Sequence, residues 1–220
     1  MTLKTQTKRT TRSASLLLAI FASLFYHPIY THALGNVVNL PGLADFSKTV
    51  QNGNAKELRG VYVDNVFALP IIKQPSGSPA FVSGNDGEVT QFGMAAQYGN
   101  IGLLAHNHLS GKLFSDLAAG QQVRLIYGDG KIETFVITEV LRYQALEPNS
   151  PYSSFRNIDN KDETISADRM FQRVYLGDRH MTFQTCISAY GNSSWGRLFI
   201  IAVPKSNYIS IDWPQMDNYQ

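Results

Sequence analysis

Cys186 is the single cysteine of this 220-residue chain. A lone thiol is either an inert core residue or a nucleophile. It closes the segment Met181-Thr182-Phe183-Gln184-Thr185-Cys186 and precedes Arg197 by eleven residues. A thiol near neutral pH is mostly protonated, so nucleophilic catalysis needs a base or cation beside it to lower its pKa. His106 and His108 end the apolar run Ile101–Ala105 and supply a base, and Arg197 opens a second apolar run and supplies a fixed positive charge. Strand ends far apart in sequence can meet at one rim of a barrel, which would bring the three groups together. Two residues apart on an extended segment, His106 and His108 point to the same face, so residue type alone leaves the choice between them open.

Other chemistries fit less well. His106, His108, His180 and Cys186 are all residue types that zinc accepts, but the only zinc-like spacing is a bare His-x-His. Asp159, Asp162 and Glu163 lie in one acidic stretch without the pattern of a calcium loop, and read as solvated. No cofactor and no metal is expected. Trp195, just before Arg197, reads either as a rim aromatic that contacts substrate or as a hairpin side chain packed on the body of the protein.

The elements that must carry these residues are mostly strands. Leu58–Val63, Val66–Ile72, Ala80–Ser83 and Ile101–Ala105 are short apolar runs between Gly, Pro, Asn and Asp. Gln122–Tyr127 and Glu133–Arg142 flank Gly128-Asp129-Gly130-Lys131, a hairpin signal because Asp-Gly accepts positive φ. Residues 143–163 show no period and read as a long loop. Ser166–Val174 reads as a helix with Met170, Phe171 and Val174 inward. Met181–Ile187 and Arg197–Val203 are strands joined by a turn over Tyr190-Gly191-Asn192-Ser193-Ser194. Leu43, Phe46 and Val50 mark a short helix near the start. Many short strands with few helices imply a small closed β-barrel, mainly β in class.

Composition bounds the partners. Hydrophobic residues at 44% and charged residues at 16% describe a globular chain. The net charge of +2 is carried by the N-terminus, since residues 1–33 hold Lys4, Lys8, Arg9 and Arg12 and no acid. The remainder is slightly acidic, which gives no reason to expect nucleic acid. The same N-terminus has a basic stretch, an apolar run from Ala14 to Tyr26 and a small residue at Ala33. That is the layout of an export signal, too short for a spanning helix of about 20 residues. Residues 1–33 are therefore expected to be a signal peptide cleaved after Ala33 or an uncleaved membrane anchor. The expected location is extracytoplasmic, secreted or tethered to the membrane.

Three segments carry a family resemblance. Thr182-Phe183-Gln184-Thr185-Cys186 resembles the TLxTC signature of sortases, cysteine transpeptidases of bacterial surfaces, with Phe183 for the usual Leu. Arg197-Leu198-Phe199-Ile200-Ile201-Ala202 resembles their arginine strand. Leu104 to Leu117 resembles their histidine segment, with Ala105 where Gly is common. The order is the family's, and the match spans roughly residues 56–205. The resemblance implies an eight-stranded barrel with the site at one end. It also implies Cys186 as nucleophile, His106 as acid/base with His108 in reserve, Arg197 as oxyanion or positioning group, and Thr185 lining the pocket beside the thiol.

Further implications are a monomeric enzyme that cleaves an LPxTG-like sorting signal near the C-terminus of an exported protein. It would then pass the acyl group to an amine of the cell wall or a pilin, or to water. The implied organisation is a linker with a short helix over 34–55, a catalytic barrel over 56–205 and a tail over 206–220. Two other readings fit less of the pattern. L,D-transpeptidases place an Arg close behind the Cys, which Thr185-Cys186-Ile187-Ser188 does not. An exported barrel that binds a peptide or wall component without turning it over would not need an intact Cys, His and Arg.

Overall fold

In Phe67–Lys73 the residues Phe67, Leu69 and Ile71 are buried while those between them are half-buried. This is the period of two that a strand needs to keep one side against a core. The computed structural model describes residues 40–211, and the same logic sets most of its strands. The segment read as an export signal, residues 1–33, and the distal tail with Trp213 and Pro214 lie outside the described residues. Among the described residues no helix is long and apolar enough to cross a membrane.

The elements in chain order are α1 (Leu43–Val50), β1 (Leu58–Val63), β2 (Phe67–Lys73), β3 (Val89–Gln91), α2 (Gly93–Gln97), β4 (Ile101–Leu104) and a 3₁₀ helix (Ser110–Asp116). There follow β5 (Gln122–Tyr127), β6 (Ile132–Ala145), β7 (Phe155–Asn157), β8 (Thr164–Ile165), α3 (Ala167–Tyr175), β9 (Met181–Ala189), β10 (Asn192–Pro204) and α4 (Lys205–Ile211). The sheet runs β10-β9-β4-β3-β2-β1-β5-β6, and β6 pairs back to β10. The result is a closed eight-stranded mixed barrel, parallel at β2–β3 and β4–β9 and antiparallel elsewhere. The far end of β6 leaves the barrel to pair with β7, which pairs with β8.

Val61, Leu69, Leu103, Leu125, Phe135, Phe183 and Ile200 fill the barrel. A second core lies outside its wall, where Met170, Val174 and Tyr175 of α3 cover Phe199, Ile201 and Tyr143. Strands β9 and β10 are thus covered on both faces. Each fully buried side chain of this kind stabilises the fold by about 1.5–3 kcal/mol. Ser166 caps α3 by accepting from the Arg169 N–H at 3.3 Å. Helix α1 lies within the segment read as a linker and packs Phe46 and Val50 against Tyr62 and Ile126.

Some expectations are corrected. Ala80–Ser83 forms no strand; the Gln74 amide bonds the carbonyls of Pro79 and Phe81 and holds this stretch as a loop. The strand beside β2 is instead the three-residue β3. Residues 143–163 are not one loop, because β6 runs to Ala145 and pairs with Phe155–Asn157. The β5–β6 turn spans the four residues Gly128–Lys131, with Gly130 alone at positive φ, 87°. The β9–β10 turn needs only Tyr190 and Gly191, both at positive φ.

Candidate active site

Cys186 and Arg197 face each other across β9 and β10. They are Cα partners in the antiparallel ladder, so their side chains leave the same face of the sheet. That face is the outer one. Phe183 points into the barrel, Gln184 points out to accept a hydrogen bond from the Tyr175 hydroxyl of α3 at 2.5 Å, and Cys186, two residues on, shares its side. Cys186 is half-buried and its thiol is free.

Arg197 is half-buried as well. Its Nη1 donates to the carbonyls of Ser194 and Gly196, each at 2.9 Å. It forms no ion pair among the described residues, so its positive charge is not cancelled by a carboxylate. On its other side its ladder partner is Tyr143. That side chain is buried and donates its hydroxyl to Glu163 at 2.9 Å. Burial first, and the Glu163 hydrogen bond second, push the Tyr143 hydroxyl up to about 12; it stays a neutral donor.

His106 follows the strand that pairs in parallel with β9. Ile101, Gly102, Leu103 and Leu104 pair with Met181, Thr182, Phe183 and Gln184 in unbroken register. One step further the Ala105 N–H donates to the Gln184 carbonyl at 3.3 Å, and the Ala105 carbonyl accepts from the Thr185 hydroxyl at 2.8 Å. His106 is the next residue, two past the end of β4, where the chain turns and its carbonyl accepts from the N–H groups of Leu109 and Gly111. Adjacent strands lie about 4.8 Å apart, so Cys186 and Arg197 are neighbours on β9 and β10, and His106 follows the end of β4 on the other side of β9. His106 is half-buried, while His108 is exposed and stacks on it with ring centroids 5.4 Å apart.

Thr185 is placed differently from its expected position. It is buried on the face opposite Cys186, and its hydroxyl is bound to Ala105. It anchors the histidine strand from beneath. Gly111 completes this joint: a Cβ there would come within 2.7 Å of the His106 carbonyl and 2.8 Å of the Ala105 carbonyl, and would strike the Thr185 hydroxyl. Trp195 is half-buried at the hairpin and meets Tyr190 edge-on, centroids 5.8 Å apart.

The set of ligands considered for zinc is split. His180 is buried six residues before Cys186, about 20 Å along an extended strand, with its ring nitrogens 2.7 Å and 2.9 Å from the carbonyls of Asp178 and Val174. In the acidic stretch, Asp159 binds Arg142, and Glu163 binds Asn157, Tyr143 and Arg173. Among the described residues no three His, Cys, Asp or Glu side chains are grouped to hold a metal.

Next to the trio lies a feature that the sequence did not single out. Gln184 and Phe199 are the ladder pair one same-face step before Cys186 and Arg197. They floor a crevice of about 150 Å³ whose walls include Phe92, Phe155, Met170 and Phe171. The inward face of α3 was legible as apolar, but whether an apolar face meets a core or an open slot depends on what β7 and α2 bring opposite it.

Solved structures to which this chain is similar include sortases. Sortase A of Listeria monocytogenes matches 68% of this chain and 87% of its own, at 13% identity and TM-score 0.44. Sortase A of Corynebacterium diphtheriae matches 73% and 63%, at 10% and 0.44. Sortase C of Clostridium perfringens, solved with the C-terminal cell wall sorting motif, matches 73% and 81%, at 14% and 0.42. Values this low transfer no residue's role to the present chain. No family model and no curated protein matches it.

Proposed function

We propose that this chain is an exported cysteine transpeptidase of sortase type. What supports the reading is the ladder pairing of a free thiol with a guanidinium that forms no ion pair among the described residues, one same-face step from an apolar crevice, with His106 just past the end of the strand on the other side of β9. Cys186 attacks the carbonyl of a Thr–Gly or similar bond in an LPxTG-like sorting signal near the C-terminus of an exported protein. The Cys186 sulfur forms a thioester as the C–N bond breaks, and His106 gives its proton to the leaving amine. His106 then takes a proton from the incoming amine, which belongs to the cell wall or a pilin, or from water. Arg197 stabilises the charge on the tetrahedral oxygen in both steps. The peptide upstream of the scissile bond lies along the outer face of β9, with an apolar side chain in the crevice over Gln184 and Phe199.

The test is intact-protein mass spectrometry of the full chain with LPxTG-type peptides, with and without triglycine. A thioester-sized adduct or ligated product that disappears in Cys186→Ala and in His106→Ala is expected. A thiol that is alkylated freely yet forms no adduct with any peptide of a panel would refute the reading.

A further inference from the structure

Between the two histidines lies Asn107, and its side chain reaches across to the β9–β10 hairpin. Its Nδ2 donates to the Ser188 hydroxyl at 2.7 Å and to the Ser193 carbonyl at 2.9 Å. A backbone carbonyl only accepts, so the second bond decides which way the amide is turned. That carbonyl is available because the ladder is broken between Asn192 and Gly196, where β10 carries two more residues than β9 opposite it. Such bulges free backbone groups and re-aim neighbouring side chains. The same bulge presents the Ser194 carbonyl to Arg197.

His106 is therefore tied to β9 on both flanks. Before it, Ala105 is bound to Gln184 and Thr185; after it, Asn107 is bound to Ser188 and to the bulge. The four tie points on the hairpin bracket Cys186. The Ala105 ties continue a strand ladder and its buried underside. The Asn107 tie is made at the exposed surface by one side chain, so it can be released without opening the barrel.

We propose that Asn107 is a positioning residue that clamps the histidine segment to the hairpin and keeps the His106 imidazole abreast of the Cys186 thiol. The inference rests on the reading of Cys186 and His106 as nucleophile and base. A misplacement of about 1 Å costs on the order of 100-fold in rate, so releasing the clamp lowers kcat by about 10- to 100-fold and leaves KM nearly unchanged. Asn107→Asp keeps the size but loses the donor and behaves as Asn107→Ala does.

The experiment uses the full chain and follows iodoacetamide alkylation of its only thiol through the pH range in which histidine titrates. Wild type, His106→Ala, Asn107→Ala and Asn107→Asp are compared, with kcat, KM and thermal melting alongside. The expected result is that His106→Ala alters the pH profile and both Asn107 variants move toward it, with melting little changed. If His106→Ala departs from wild type and the Asn107 variants do not, the clamp is refuted while the thiol–imidazole pair stands. If His106→Ala itself matches wild type, the pair fails and the clamp with it. Should the Asn107 variants not fold, Ser188→Ala removes one of the two bonds and decides by the same profile: a shift toward His106→Ala supports the clamp, and a wild-type profile refutes it.

Discussion

Cys186 and Arg197 are direct ladder partners across β9 and β10, which fixes the guanidinium and the thiol on one face of the barrel wall. The Nη1 of Arg197 is held by two backbone carbonyls, so the group is pre-aimed before any substrate arrives. Loss of one preorganised charge-stabilising donor costs about 100- to 1000-fold in kcat. Arg197→Ala is expected to show that loss in steady-state turnover of a sorting-signal peptide. Arg197→Lys keeps the charge but not the planar fork, and is expected to recover only part of it.

The two histidines are expected to separate cleanly. The β4–β9 register ends at Leu104, two residues before the half-buried His106, whereas His108 is exposed and stacks on His106. A positioned general acid/base contributes about 100- to 10,000-fold. His106→Ala should lose that much in peptide turnover and His108→Ala less than about tenfold; the reverse order would move the catalytic role to His108.

The crevice over Gln184 and Phe199 is expected to govern substrate binding and not the reactivity of the thiol. Ala167 lines it from α3. Ala167→Trp fills the slot and should raise KM for a sorting-signal peptide while the rate of Cys186 alkylation stays at the wild-type value. An unchanged KM would show that the peptide lies elsewhere.

Thr185 is expected to act on stability. Thr185→Val removes the donor to the Ala105 carbonyl in a buried joint. An acceptor left unsatisfied there costs about 1–3 kcal/mol, read as a lower denaturant midpoint with an unchanged slope.

The pair formed by Tyr143 and Glu163 is expected to limit stability at both ends of the pH scale. Hydrogen bonds from Asn157 and Tyr143 hold the Glu163 carboxyl below its usual 4.5. That contribution is present above pH 4.5 and is lost as pH falls through the lower folded value. Tyr143 has the opposite sign: with its hydroxyl raised from 10 to about 12, its contribution is full below pH 10 and is lost as pH rises toward 12. Thermal melts against pH should show a flatter acid limb in Glu163→Gln and a flatter alkaline limb in Tyr143→Phe. Limbs as steep as in wild type would remove these groups as the cause.

Leu43–Val50, Leu58–Val63 and Gln122–Tyr127 match their expected bounds, and α3 lies within one residue of them, because a periodic apolar face is a local property of the chain. The residue types of the site were equally legible: one thiol, two adjacent histidines and an arginine heading an apolar run. β3, β7 and β8 were not, since two or three residues hold no period and are strands only through the partners they find. The turn around Asp129-Gly130 was visible, while its length was set by the ladder on either side. What the tertiary structure alone decided was adjacency and facing. Parallel pairing of β4 with β9 joins residues 80 apart in sequence, and closure of β6 onto β10 with α3 outside gives β9 two covered faces. Alternate residues of a strand point to opposite sides, so the fold, and not the motif, turned Thr185 toward the buried joint and left Cys186 outside with Arg197.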